Sequence, residues 1–248
     1  MGKCRLCNEE AKLQMSHIIP RSLIKDVKDG DSQLHVFSYS SAPTYSNADP
    51  KELLLCKCCE QYISSNYEQY GTQLIKRPKN IIKHNDRIEF KEFDYKKWYL
   101  YYLSIIWRAS ISSLQEFVDI QLGGFNDLLK ECIKNDTLTL TEDISIDECI
   151  VISMFRVVDR SGRLDDKAIK NIMLNLTGVK EGDDSLFFFM ANGFLIQYQI
   201  TPNYIFEKKN SGCNKTIVNR NARKCVKMVD ITESRLLCEN FNWLVDNV

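Results

Sequence analysis

The longest uninterrupted apolar pattern lies at 94–117, where neither glycine nor proline breaks the run and large apolar side chains cover most of a helical wheel. Trp98, Tyr101, Tyr102, Ile105 and Ile106 recur at steps of three and four, so the segment predicts a buried central helix. Arg108 falls inside it and has two readings: a guanidinium reaching a phosphate at an active site, or one paired with a buried acid or carbonyls, since an unpaired interior charge is costly. A second helix is expected over 124–134, with Asn126 capping it ahead of Leu128, Leu129 and Ile133. Residues 144–156 read as a strand, β-branched and apolar around Ile150, Val151, Ile152 and Met154. In 187–198, Asn192-Gly193 sits between two aromatic runs, the strongest hairpin signal in the chain. Helical patterns return at 166–176 and, amphipathically, at 232–245 through Leu236, Leu237, Phe241, Leu244 and Val245. Segment 37–50, rich in Ser, Asn and Pro, reads as an exposed loop. The mixture implies an α+β protein, and no repeat period stands out.

Composition changes this picture little. With 248 residues, 44 % of them hydrophobic and 27 % charged, the chain can bury a substantial core as one large domain or two small ones. No apolar run approaches the roughly 20 residues of a membrane span, and the opening Lys3 and cysteines do not resemble a signal sequence. A cytoplasmic setting with no membrane partner is therefore expected. The formal net charge of zero offers no general attraction to nucleic acid, but its distribution is uneven. Residues 76–97 hold eight basic side chains against four acids, and 207–227 hold seven against one. The second cluster, with Arg220, Arg223 and Lys224, is the candidate for phosphate contacts; its alternative is a solvated surface.

Candidate chemistry concentrates near the N-terminus. Of ten cysteines, Cys4/Cys7 and Cys56/Cys59 form two Cys-x-x-Cys pairs, a spacing that lets four thiolates complete a tetrahedron around zinc. Cys58 competes in the second cluster and is otherwise a buried or spare thiol. The 48 residues between Cys7 and Cys56 must leave and return, and His17 lies in that excursion within Ser16-His17-Ile18-Ile19-Pro20. The scatter of the other cysteines fits reduced thiols rather than a disulfide framework. Glu60, Ser64, Tyr67 and Glu68 fall at i, i+4, i+7 and i+8, one stripe of a helix, so that two carboxylates can offer oxygen to a hard cation; a solvated helix face is the plainer alternative. Tyr62, Tyr67 and Tyr70, taken as exposed, would suit an interface. Oligomeric state stays open.

Together these pieces resemble the HNH (ββα-metal) endonuclease family, through Cys4-Arg5-Leu6-Cys7, Ser16-His17-Ile18-Ile19-Pro20 and Leu54-Leu55-Cys56-Lys57-Cys58-Cys59-Glu60. The likeness covers about residues 1–75. It implies an HNH-like ββα zinc module at 1–75 followed by a mixed helix/strand domain at 76–248 that binds nucleic acid or a partner. It further implies that His17 is the general base of phosphodiester hydrolysis in DNA, with Glu60 and Glu68 as catalytic residues and ligands of a magnesium or manganese ion. Histidine suits the role because the residue type titrates near about 6.5. The resemblance also suggests restriction or anti-phage defence beside an ATPase or other defence-system subunit. The chain departs from the family where Ser16 replaces the acid before the histidine, Lys51 an asparagine and Glu60 a His or Asn. Asn47 and Asp49 stand close enough in sequence to substitute. The departures leave a second expectation open, a catalytically inactive zinc-stabilised module binding nucleic acid or protein.

Overall fold

In this computed structural model, which describes residues 1–25, 34–38, 41–46, 50–76, 78–181, 184–201, 222–233 and 237–238, the chain is a mixed α+β protein. It opens with the paired strands β1 (Gly2–Lys3) and β2 (Glu10–Ala11), then β3 (Leu13–His17), α1 (Arg21–Lys25), β4 (Leu34–Ser38) and β5 (Ser41–Ser46). β6 (Lys51–Cys56) runs directly into α2 (Lys57–Ile63), a π-helical turn (Ser64–Glu68) and α3 (Gln69–Lys76). After β7 (Ile81–Lys83) and β8 (Arg87–Phe93) come α4 (Tyr95–Ser110), α5 (Phe125–Lys134), α6 (Ile146–Cys149), β9 (Ile150–Val158) and α7 (Asp166–Lys170). Four strands follow: β10 (Ile172–Glu181), β11 (Asp184–Ala191), β12 (Phe194–Ile200) and β13 (Ala222–Asp230).

Two sheets matter for the site. β3 pairs antiparallel with β6, with His17 opposite Lys51. The large sheet has nine strands in the order β5-β4-β10-β11-β12-β9-β13-β8-β7. Its two edges come from the excursion between the cysteine pairs and from the basic segment after α3, so segments far apart in sequence share one sheet.

α4 is the centre of the fold. Asp94 caps it by accepting from the Lys97 N–H at 3.0 Å, and every residue from Trp98 to Ala109 is buried. A helix apolar all round must be covered on all sides; here α5, α3 and the π turn pack against it, and β12 crosses it. The tyrosines keep their hydroxyls satisfied: Tyr99 donates to the Ile150 carbonyl at 2.7 Å, and Tyr198 of β12 donates to that of Tyr102 at 3.0 Å. Side chains alternate along β12, so Ile196 and Tyr198 join the core around α4 while Leu195 joins a smaller cluster with Ile169, Leu174 and Met190 on the far face.

Several expectations change. The second helix begins at Phe125 with Gly124 at its cap; Asn126 instead accepts from the Ser110 hydroxyl, tying the end of α4 to α5. Residues 166–176 divide, because Asn171 ends α7 and from Ile172 the chain pairs with both β4 and β11, a tertiary demand that outweighs local helical pattern. Within 144–156 a helical turn precedes the strand, and within 37–50 residues 41–46 form a strand rather than a loop. Most of 232–245 lies outside the described residues; Ile231–Glu233 forms a 3₁₀ turn. Asn192 and Gly193 do turn the hairpin, with φ of 52° and 71°. Tyr67 is fully buried rather than exposed, and Tyr62 and Tyr70 spend their hydroxyls inside the molecule, on the Ile133 carbonyl and the Asp94 N–H.

The approach of α3 to α4 sets the position of the site and depends on Gly71. A Cβ there would lie 2.2 Å from the Tyr101 ring, too close for any real contact. Gly71→Ala is therefore expected to destabilise the protein by about 1–3 kcal/mol despite the better helix propensity of alanine, as measured by urea denaturation.

Candidate metal centre and cleft

The first element of the site is made of sulfur. The thiols of Cys4, Cys7, Cys56 and Cys59 all lie within 4.8 Å of one another, with Cys7 and Cys56 sulfurs 3.9 Å apart. Zinc–sulfur bonds of about 2.3 Å in a tetrahedron require sulfurs about 3.8 Å apart, so the cluster can hold a structural metal ion of that size. Burial alone would raise the Cys4 thiol, but N–H donors from Cys56, Cys7 and Leu6 outweigh it and hold the group at about 7. Burial and neighbouring sulfurs push Cys59 up, and burial pushes Cys7 up. Four crowded sulfurs compete for negative charge, and a dication removes that competition. Cys58 is exposed and stands outside the cluster, the spare thiol of its two expected readings, leaving Cys56 and Cys59 as the second pair.

The second element is a cleft of about 310 Å³ where the β3–β6 hairpin meets the helical run. His17, Glu60, Ser64, Glu68 and Arg108 all line it. The hairpin delivers His17 at the end of β3; α2 and the π turn deliver Glu60, Ser64 and Glu68. Tyr67, expected on the same stripe, points away and is buried against Ile133 and Asp136, because the wider π turn shifts the residues after Ser64 out of α-helical phase. Ser65 compensates the altered backbone bonding by donating to the Gln61 carbonyl at 2.7 Å.

Arg108 follows the paired reading, and it also lines the cleft. It is 1 % exposed, its Nε donates to the Ser104 carbonyl at 3.2 Å, and its Nη2 lies 2.8 Å from Glu68 Oε1. That last contact is an ion pair whose angle misses hydrogen-bond alignment, so Nη2 retains unused donor capacity at the cleft. Glu68 is thus already engaged by a cation, whereas Glu60 Oε1 is buried with no hydrogen-bond partner. Among the described residues the four cysteines are the only group of three or more potential metal ligands drawn together; His17, Glu60 and Glu68 line one cleft without meeting that closeness. Ser16 is fully buried and does not line the cleft. A carboxylate at position 16 would place charge in the interior, so the acids of this cleft come from the helix instead.

Arg21, Ser22 and Thr72 also line the cleft and were not singled out from sequence. The Ser22 and Thr72 hydroxyls meet at 2.7 Å, binding α1 to α3. The available signal was Arg21 directly after Pro20, where a helix begins.

The two basic segments meet on neighbouring strands. Arg223 pairs with Lys91 and Lys227 with Arg87 across β13 and β8, and all four are exposed. Glu89 lies among them, 3.1 Å from Arg223. Lys224 faces the other way, its ammonium 4.3 Å from the centre of the Trp98 ring. Arg220, Asn47 and Asp49 lie outside the described residues. No helix of the described residues is long and apolar enough to cross a membrane. Comparisons with protein-family models, with curated proteins and with solved structures gave no match to this chain.

Elemental analysis of purified protein is expected to find one zinc per chain. Cys59→Ser should lose the metal and lower the melting temperature, while Cys58→Ser keeps both. Thiolate ligands reprotonate on acidification, so zinc affinity should fall as pH is lowered, measured with a competing chelator.

Proposed function

We propose that this protein is a metal-dependent endonuclease of the HNH type that hydrolyses phosphodiester bonds in DNA. One observation carries the reading: a histidine on a hairpin, two helix carboxylates and a buried arginine line one cleft beside a four-cysteine centre. These are the groups that water attack on a phosphodiester requires.

In this reading His17 takes a proton from the attacking water as the new oxygen–phosphorus bond forms and the bond to the leaving oxygen breaks. The leaving oxygen then takes a proton from solvent. Arg108 offers its spare Nη2 donor to a phosphate oxygen, and Arg21 adds a second positive charge on the cleft wall. A divalent ion, when bound, neutralises charge on the phosphate and the leaving oxygen. Glu60 is the better candidate to hold it, because its buried Oε1 has no other partner. All-oxygen donors favour magnesium or manganese over zinc. Glu68 positions Arg108 and can serve the ion through its second oxygen. The Arg87, Lys91, Arg223 and Lys227 ladder is the surface that holds the DNA backbone.

Plasmid DNA incubated with the protein and magnesium or manganese should be cut, and His17→Ala should lose about a hundredfold to ten-thousandfold in rate with zinc content unchanged. A parent that cuts with neither ion, or a variant that cuts at the parental rate, overturns the reading; the first result leaves the inactive binding module. Lys91→Glu with Arg223→Glu should weaken DNA binding and reduce the slope of log affinity against log salt by about 1.8, two phosphate contacts' worth, in an anisotropy titration.

A further inference from the structure

A second cleft, of about 280 Å³, opens between the C-terminal end of α3, the edge strand β7, β9, α7 and the β11–β12 turn. It shares no residue with the His17 cleft. Its charged lining is Lys76, Lys83, Arg156, Lys170 and Asp166, four cations against one carboxylate, a net of +3. The apolar wall is Ile81, Ile88 and Phe194.

Arg156 is built into this site rather than draped over it. It is 6 % exposed, its Nη1 donates to the Asn192 carbonyl at 2.9 Å, its Nη2 reaches Asp166, and its guanidinium lies 5.2 Å from the centre of the Phe194 ring. Gly193 lies beside it with φ of 71°, and a Cβ there would displace the guanidinium from its place. Asp166 also takes Lys170 at 2.5 Å, so one carboxylate is shared by two cations and the pocket keeps an excess of positive charge. Such a fixed, partly desolvated excess is complementary to an anion. A bare anion would leave the apolar wall wet, whereas a phosphate carried on a compact ring uses both. The volume, at the small end of ligand cavities at about 300 Å³, suits one nucleotide.

We propose that this cleft binds a nucleoside monophosphate, with the phosphate toward Lys83, Lys170 and Arg156 and the base against the isoleucine wall. Calorimetric titration of the full chain with AMP, UMP, adenosine and inorganic phosphate tests it. One equivalent of AMP or UMP should bind, adenosine and inorganic phosphate at least tenfold more weakly. Lys83→Glu and Lys170→Glu, each at an exposed rim, should weaken the nucleotide at least tenfold while circular dichroism melting shows both folded. Absence of binding by both nucleotides, indifference to both substitutions, or phosphate binding as tightly as AMP would overturn the proposal. So would an oligonucleotide without terminal phosphates binding there in place of the mononucleotides, which makes this face part of a strand-binding track. No nuclease measurement enters the result.

Discussion

Bringing Cys7 to within 3.9 Å of Cys56 joins positions 49 apart in sequence, and the geometry of the cleft follows from that closure. The chain between them is long and carries β4 and the edge strand β5. Without a fixed base, the ends of such a loop lose little by separating. A metal ion held by both pairs would cross-link about fifty residues and restrict the unfolded chain by about 4 kcal/mol on the chain-entropy estimate, comparable to a large share of a small protein's net stability. The closure also fixes direction. β3 and β6 pair antiparallel beside the sulfur cluster, and His17 at the end of β3 lines the cleft with residues of the helical run that begins at Lys57.

Two arginines organise the two clefts by the same device. Arg108 on α4 and Arg156 on β9 are both buried, both on elements at the centre of the molecule, and each meets a carboxylate from a neighbouring helical segment. Burying a guanidinium is costly, and a single acid does not exhaust its five N–H donors. The positive charge is therefore held in place and left incompletely satisfied at the wall of a cleft. A lysine would serve worse, being mobile and without a planar fork.

The parts of the fold legible in the sequence were those with local causes. The glycine-free apolar run gave α4, Asn192-Gly193 gave its hairpin, and Cys-x-x-Cys spacing led to four thiols that meet. The rest depended on distant partners. Ile172 becomes a strand residue because β4 and β11 flank it, and residues 41–46 extend because an edge of the large sheet awaited them. Within the cleft, His17, Glu60 and Glu68 were readable from motif and spacing, but the Glu68 pairing with Arg108 was not, since forty positions of chain and a glycine-mediated helix contact lie between them. The basic segments were visible as composition; that they lie on adjacent strands was not.

The π turn between α2 and α3 has a further mechanical meaning. One surplus residue in a helix rotates everything beyond it by about 100° relative to an unbroken α-helix. Here that rotation sends Tyr67 into the interior while Glu60 and Glu68 keep a common outlook, and it sets which side of α3 meets α4. Sulfur cluster, cleft and basic pocket thus sit along a single rod whose phase is fixed at Ser64–Glu68. Relaxing that one widened turn to ordinary α-helical winding would misalign all three at once, as a slipped tooth puts every gear on a shaft out of time.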